Sequence, residues 1–198
     1  VGRIPSWPNE SGWNTFSVDG PIARTVGDVS LMLSALSGPD PRSPIANPER
    51  GEKFLEPLER DLKGVRIAWT RDLGGIPVDN KVTETIESQR DVFRDLGCII
   101  KDKSPDFSDA DEIFKTFRAW YYELNLGSLL PKHREKIKDT VVWNIEAGLK
   151  LSGKELGRAE KKRTKMFYKF QEFMQNYDFL ALPVSQVTPF PVEQEFVS

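Results

Sequence analysis

Apolar residues recur every three or four positions near the start of the chain, which predicts a short amphipathic helix. The repeating positions are Val26, Val29, Met32, Leu33 and Leu36. Thr25 stands just before them and can act as the N-cap by accepting a hydrogen bond from the backbone of Asp28. Gly38 is a typical C-terminal stop, and the prolines that follow it prevent continuation. We expect the apolar face of this helix to be buried.

Three short runs of β-branched and aromatic residues predict strands at about 65–70, 98–102 and 178–183. A helix is predicted between the first two strands, with Asp79 as its N-cap and Gly97 at its end. Strand, helix and strand at this spacing form a unit whose two strands run parallel. We therefore expect an α/β fold, in which a sheet of a few short, largely parallel strands is flanked by helices.

Longer helices are predicted in the second half of the chain. Ser108 is expected to cap a helix with a broad aromatic stripe, which Gly127 and Pro131 interrupt. Another helical stretch covers residues 132–148. The last helix runs to about residue 176 and opens with a capping box, in which Ser152 and Glu155 bond each other's backbone N–H groups.

The composition is that of an ordinary globular protein, with 38% hydrophobic and 29% charged residues. A formal net charge of -2 gives no electrostatic reason to expect nucleic acid or an anionic membrane as a partner. The chain has no apolar run of about 18 residues, so no membrane span is expected. The single cysteine, Cys98, favours a reducing compartment, and we expect a cytoplasmic protein. The start at Val1, without an initiator methionine, suggests a piece of a longer product.

The side chains of this chain do not form a recognisable catalytic centre. His133 is the only histidine and lies among charged residues, which is typical of a surface position. Cys98 lies in an apolar strand, as expected of a buried and unreactive thiol. The spacing of potential ligands predicts no metal site and no cofactor. Gly74 and Gly75 follow the first strand without the rest of a dinucleotide fingerprint, so a tight turn is the preferred interpretation.

Four sequence motifs carry a resemblance to a known family. They are the stretch G-P-I-A-R-T-V-x-D from Gly20 with G-P-D-P-R at 38–42, the opening Gly2-Arg3-Ile4-Pro5, W-N-I-E at 143–146, and L-A-L-P-V-S-Q-V-T-P-F-P at 180–191. In this order they resemble the amidase signature family. The resemblance implies that residues 1–198 are the C-terminal portion of an amidase signature domain, with the end of its core motif region at 1–45 and the α/β remainder at 62–198.

The resemblance also implies a chemistry whose central residues lie before Val1. In the family, a lysine and a serine in a cis peptide activate a second serine, which attacks an amide carbonyl and forms an acyl-enzyme. We therefore expect this chain to be inactive alone, and the complete protein to hydrolyse the C–N bond of a linear or aryl amide. The expected partners are the missing N-terminal half, a small amide substrate and further copies of the chain in a homo-oligomer.

What this part is expected to contribute is one wall of the substrate pocket. By resemblance, we assign that wall to Trp120, Tyr121, Trp143, Asn144 and Gln186, of which the two amides can orient a substrate through paired hydrogen bonds. A structural turn is assigned to Asp19, Gly20, Pro21 and Arg24.

Two alternatives stay open at this point. The first is the A subunit of a transfer-RNA-dependent glutamine amidotransferase, which the basic residues on the last helix suggest. Glutamates are interspersed among these basic residues, however, and that pattern is typical of a solvated helix face. The second is a binding or assembly module derived from an amidase. A part of a larger domain should expose a broad apolar patch around the Val26–Leu36 helix, Trp7, Trp13 and Phe16, whereas a self-standing module should not.

Overall fold

The computed structural model describes residues 1–194, and they divide into two compact units. The first unit comprises residues 1–60 and 120–149, and the second comprises residues 61–119 together with the chain from residue 150 onward. The boundary at residue 120 falls inside a single long helix, so both units use part of that helix. The division at 45 and 62 inferred from the family motifs stays a prediction.

The first unit contains helix α1, Val26–Leu36, a 3₁₀ helix at Gly51–Leu55, and helix α6, Asp139–Leu149. Short helical turns precede α6 at Gly127–Leu129, Leu130–His133 (α5) and Arg134–Lys136. The interruption predicted at Gly127 and Pro131 is therefore confirmed, whereas the predicted helix at 132–148 begins seven residues late. Proline at the first turn of α5 restarts the helix there, because its missing N–H is not needed at that position.

Helix α1 begins as predicted, but its burial does not follow the prediction. The Thr25 hydroxyl accepts a hydrogen bond from the Asp28 N–H at 3.1 Å and donates one to the Asp28 carboxylate at 2.8 Å. No residue of α1 is buried, and Val26 is 70% exposed. The expectation of a buried face is therefore wrong for the described residues, since periodicity shows which face is apolar but not whether anything covers it.

The second unit is built on a parallel sheet with the strand order β2-β1-β3. The strands are β1, Arg66–Trp69; β2, Ile99–Asp102; and β3, Phe179–Ala181. Ala68 of β1 lies opposite Lys101 of β2 and opposite Leu180 of β3, so β1 is central. The three predicted strands and their parallel direction are confirmed, and the fold class is α/β.

Helices flank the sheet of the second unit. They are α2, Asn80–Glu87; α3, Arg90–Asp95; α4, Ala110–Leu126, which continues into the first unit; and α7, Gly153–Met174. The predicted Asp79 cap and the Ser152–Glu155 capping box are both present. The single helix predicted between Asp79 and Gly97 is broken at Ser88, whose hydroxyl bonds the Thr85 carbonyl at 2.7 Å in competition with the helical pattern.

The core of the second unit lies beneath the central strand. Ile67, Trp69 and Cys98 are buried together, and the Phe93 ring meets the Trp69 ring edge-on with 5.7 Å between centroids. Cys98 is thus a packed thiol, as expected. Ser108 does not cap α4 as predicted, because the helix begins one residue later, after Asp109, and the Ser108 N–H is bonded by the Asp106 carboxylate at 3.1 Å. Among the residues that the structure describes, no helix is both long and apolar enough to cross a bilayer.

Candidate functional site

The residues predicted to form a pocket wall are divided between the two units. Trp120, Tyr121, Trp143 and Asn144 belong to the first unit, and Gln186 belongs to the second. Each group is positioned by helices, strands or loops of its own unit.

Helix α6 gives the neighbouring residues Trp143 and Asn144 different environments. Asn144 is 5% exposed and lies in the buried stripe of the helix with Val142 and Ile145. Trp143 is 62% exposed, because successive residues of an α-helix point about 100° apart. The indole ring of Trp143 is therefore open to contact by another molecule, while the Asn144 side chain is held inside.

The buried amide of Asn144 is partly committed to its own helix. Its Nδ2 donates a hydrogen bond of 2.7 Å to the carbonyl of Thr140, one turn earlier. A side-chain amide has two N–H donors and an oxygen that can accept two hydrogen bonds. No described residue donates to Oδ1 of Asn144, so the oxygen is the part of the amide that remains for a ligand.

Trp120 and Tyr121 lie near the end of α4, and both side chains are half-buried. The Tyr121 carbonyl accepts a hydrogen bond of 2.7 Å from Nδ2 of Asn125, one turn later in the same helix. Both rings thus combine a packed side with an accessible side, which suits a wall residue as well as a core residue.

In the second unit, a crevice of about 270 Å³ opens at the carboxyl ends of β1 and β3. The apolar part of its wall is formed by the loop after β1 and the loop after β3, namely Leu73, Ile76, Val78, Leu182, Pro183 and Val184. The chain leaves β1 toward β2, whereas β3 lies on the other side of β1. Crevices at such a reversal, outside the carboxyl ends of strands, are where open α/β sheets bind ligands.

Gln186 lies in the wall of this crevice and holds its two loops together. Its backbone carbonyl accepts a hydrogen bond of 2.8 Å from the Asp79 N–H, and its side-chain Nε2 donates one of 2.7 Å to the Pro77 carbonyl. The Gln186 side chain therefore shapes the crevice with its N–H group. No described residue donates to its Oε1, which stays free to accept.

Asp72, which the sequence did not single out, organises the loop after β1. Its carboxylate accepts a hydrogen bond of 2.9 Å from the Gly74 N–H, and its carbonyl accepts one of 2.8 Å from Ile76. Gly74 and Gly75 both have positive φ angles, of 89° and 121°, so the pair forms the tight turn that was preferred over a nucleotide site. An aspartate two residues before a glycine is the signal that could have identified this turn.

The structural turn predicted at Asp19, Gly20, Pro21 and Arg24 is not observed at that place. Gly20 and Pro21 lie in an irregular segment without a turn or bend, and the chain bends instead at Arg24, just before α1. Proline favours an extended conformation in the residue before it, which explains the straight passage. Among the described residues, the side chains of Asp19 and Arg24 make no hydrogen bond, and their assignment to a structural turn stays a prediction.

The G-P-D-P-R motif, by contrast, has a clear structural role in the first unit. The Asp40 carboxylate accepts hydrogen bonds from Nε and Nη2 of Arg42 at 3.0 and 2.7 Å. The side-chain hydrogen bonds from Arg42 lower the pKa of Asp40 to about 2. The same guanidinium lies 4.6 Å from the centre of the Trp7 ring, so the motif fixes the N-terminal segment.

His133 is exposed in the short helix α5, in keeping with a surface position. Within residues 1–194, no three His, Cys, Asp or Glu side chains come together as a metal-binding group. Two features therefore remain as candidates for the site, namely the exposed ring of Trp143 on α6 and the apolar crevice beside Gln186.

Comparison with known proteins gives a consistent family relationship. The family model Amidase matches residues 1–197. An acylamidase from Rhodococcus erythropolis is 28% identical over 98% of this chain and 41% of its own length. The A subunit of the glutamyl-tRNA(Gln) amidotransferase of Pseudomonas aeruginosa is 28% identical over 52% of this chain and 21% of its own length.

Solved structures agree on the fold. The crystal structure of a bacterial aryl acylamidase of the amidase signature enzymes superposes with a TM-score of 0.75 at 24% identity, covering 95% of this chain and 42% of that one. The chain thus spans less than half the length of the relatives it matches. Because the family model covers almost every residue, the chain belongs to the amidase family.

Proposed function

We propose that this chain is the substrate-binding, non-catalytic part of an amidase that hydrolyses a small carboxamide. The observation that carries the proposal is the alignment of 98% of the chain with an acylamidase. The chain lacks the lysine and serine motifs that the resemblance requires. We therefore propose that these groups come from the rest of the protein, and that they act through an acyl-enzyme formed by the Ser–cis-Ser–Lys arrangement.

Two surfaces of the chain are proposed to contact the substrate. The exposed ring of Trp143 would pack against an aryl or alkyl group, and the Oδ1 of Asn144 would accept a hydrogen bond from a substrate N–H. The crevice beside Gln186 would receive the apolar part of a substrate, since the loops after β1 and β3 supply mainly apolar side chains there. The contributions of Trp120 and Tyr121 to the wall stay proposals of the same kind.

The proposed partner is the catalytic part of the same amidase. The exposed apolar surface of the first unit supports this, because Trp13 is 75% exposed, Trp7 58% and Leu31 of α1 61%. Exposed apolar surface on this scale generally marks an interaction site. The same exposure argues against a self-standing module with a polar surface. A cytoplasmic location and a homo-oligomer are likewise proposed for the complete protein.

The amidotransferase A subunit is the second candidate, which the 28% identity to the Pseudomonas aeruginosa subunit favours. The basic residues of α7 give it less support than the sequence suggested. Lys162 pairs with Asp109 at 3.0 Å and also with Glu112, and Lys169 pairs with Asp106. These ammonium groups are engaged in ion pairs within the second unit, whereas RNA phosphates bind to free cations.

Steady-state kinetics of the complete protein tests the pocket assignment. Trp143→Ala should raise KM for an anilide about 2- to 10-fold, since an aromatic contact contributes about 0.5–1.5 kcal/mol. KM for a small aliphatic amide should change less. Tyr168→Ala on α7 is the matched control, because Tyr168 is also 62% exposed and lies outside the candidate surfaces. Equal KM values for the two variants would remove Trp143 from the pocket.

A further inference from the structure

A second cavity of the second unit, which we call the polar cavity, lies at the carboxyl ends of β1 and β2. Its volume is about 460 Å³, within the usual range for small-molecule sites. Charged side chains dominate its wall, namely Arg71, Asp72, Glu87, Arg90, Asp102 and Lys103. It lies on the other side of β1 from the apolar crevice, and only Asp72 lines both.

One wall of the polar cavity is a preformed ion-pair network around Arg90. The guanidinium of Arg90 bonds Glu87 at 3.0 Å and Asp102 at 2.8 Å, and it lies 5.4 Å from the centre of the Trp69 ring. The Trp69 indole N–H donates to the other oxygen of Glu87 at 3.0 Å. Both oxygens of Glu87 and one oxygen of Asp102 thus already accept hydrogen bonds. The negative charges of these two carboxylates are therefore compensated within the network.

The remaining groups of the wall are mainly unused donors. Nε of Arg90 is buried, and no described residue accepts its N–H. Buried donors in folded proteins nearly always have a partner, so a bound water molecule is expected at this N–H, and the donors that the cavity offers to a ligand are those of Arg71 and Lys103. Arg71 and Lys103, which follow β1 and β2, form no ion pair with any residue in the described range.

The unused acceptors are fewer. One oxygen of Asp72 accepts the Gly74 N–H at 2.9 Å, and the hydroxyl groups of Thr70 and Ser104 bond each other at 2.6 Å. The wall contains three cationic and three anionic side chains, so its net charge is zero. Among its groups that have no hydrogen-bond partner, N–H donors nevertheless outnumber acceptor oxygens. An occupant that presents acceptor oxygens therefore fits the unused donors of Arg71 and Lys103 best.

We infer that the polar cavity binds a small oxyanion, a carboxylate or phosphate group, between Arg71 and Lys103. Guanidinium and ammonium groups form charge-assisted hydrogen bonds to such oxygens, which are stronger than neutral ones. The cavity opens at the carboxyl ends of β1 and β2, on the same edge of the sheet as the apolar crevice but on the other side of β1 from the reversal of strand order. This site is separate from the proposed amide chemistry and does not depend on it.

Isothermal titration calorimetry with inorganic phosphate and with succinate tests this inference, at matched ionic strength in chloride buffer. Saturable binding of at least one anion is expected. Arg71→Gln with Lys103→Gln should weaken it about tenfold or more, because two charge-assisted hydrogen bonds are lost. Lys101→Gln is the control for the loss of a nearby surface charge, since it removes one positive charge, against two in the double variant, from exposed β2 at a position outside the cavity wall.

The two anions distinguish the possible sources of the oxyanion. Binding of phosphate alone indicates a phosphorylated ligand, and binding of succinate alone indicates a carboxylate; both outcomes support the site. The inference is overturned if neither anion binds, or if the double variant binds as tightly as the Lys101→Gln control. Circular dichroism verifies that both variants keep their helix content, so a loss of folding is recognised separately.

Discussion

Alanine at two glycines, one in each unit, should change stability in opposite directions. Gly51 is buried at the start of the 3₁₀ helix, where a Cβ would lie 2.2 Å from the carbonyl oxygen of Ser34 at the end of α1. Gly157 lies on the exposed side of α7, and a Cβ there would meet nothing within 4 Å. The same added methyl group is therefore a clash at one position and a better helix former at the other.

The magnitudes follow from these distances. Real Cβ atoms do not approach within 3.0 Å of another heavy atom, so Gly51→Ala must move the Ser34 carbonyl by about 0.8 Å. Overpacking of this kind costs about 1–3 kcal/mol. Gly157→Ala should stabilise α7 by up to about 1 kcal/mol, because glycine is the poorer helix former by that amount.

Thermal unfolding of the two variants measures both effects. For a protein of this size, 1 kcal/mol corresponds to a change of about 2–4 °C in Tm. Gly51→Ala should therefore lower Tm by about 2–12 °C, while Gly157→Ala should raise it by up to about 4 °C. If the units melt separately, each variant should shift only the transition of its own unit. An unchanged or raised Tm for Gly51→Ala would refute the close packing of α1 on the 3₁₀ helix.

Three further substitutions test other parts of the structure. Ser152→Ala removes the capping box of α7 and should cost about 0.5–2 kcal/mol, measured from the urea midpoint; no change would contradict the cap. Ile145→Ala truncates a fully buried side chain of α6 and should lower the free energy of unfolding by about 2–5 kcal/mol in the same assay. A smaller loss would mean that the core of the first unit is loosely packed. Asp40→Asn should lower Tm at pH 7, because Arg42 holds the folded-state pKa of Asp40 at about 2, below its ordinary value of 3.8. That stabilisation is present above pH 3.8 and is lost as the pH falls toward 2, so wild type and variant should converge there; a constant Tm difference would contradict the ion pair.

Local signals in the sequence predicted local structure well. The caps at Thr25, Asp79 and Ser152 depend only on a side chain and the backbone within three residues, and all three are present. The same kind of reasoning was wrong at Ser108, where Asp106 competes for the serine N–H and the helix begins later. The capping residue can thus be predicted from sequence where one polar residue precedes the helix. Where several polar residues precede it, the sequence does not show which of them is the cap.

Burial was less predictable than secondary structure. Apolar periodicity identified the face of α1 but not its environment: Val29 and Leu33 are half-buried, and the rest of that face is exposed in the described residues. Phe167 is likewise an apolar residue of α7, and it is 59% exposed. Burial depends on which distant segment packs on a helix, and a one-dimensional pattern contains no information about that segment.

The candidate site shows the same limit at the level of single residues. The sequence suggested two amides that could orient a substrate. It could not show that Asn144 would donate to Thr140 of its own helix, or that Gln186 would donate to Pro77, 109 residues away. The ion pair between Arg90 and Asp102 was not foreseen either, because the two residues lie on α3 and β2 and meet only when that helix packs against that strand.

The measurement that tests the central claim most directly is amide hydrolysis by the 198-residue chain, with its intact mass verified as 22.6 kDa. Release of ammonia or of an arylamine from simple amides is compared with release by the complete amidase that we propose. The account predicts turnover by the complete amidase and none by the chain alone. Turnover by the 22.6 kDa chain would contradict it, since the catalytic groups would then lie within residues 1–198.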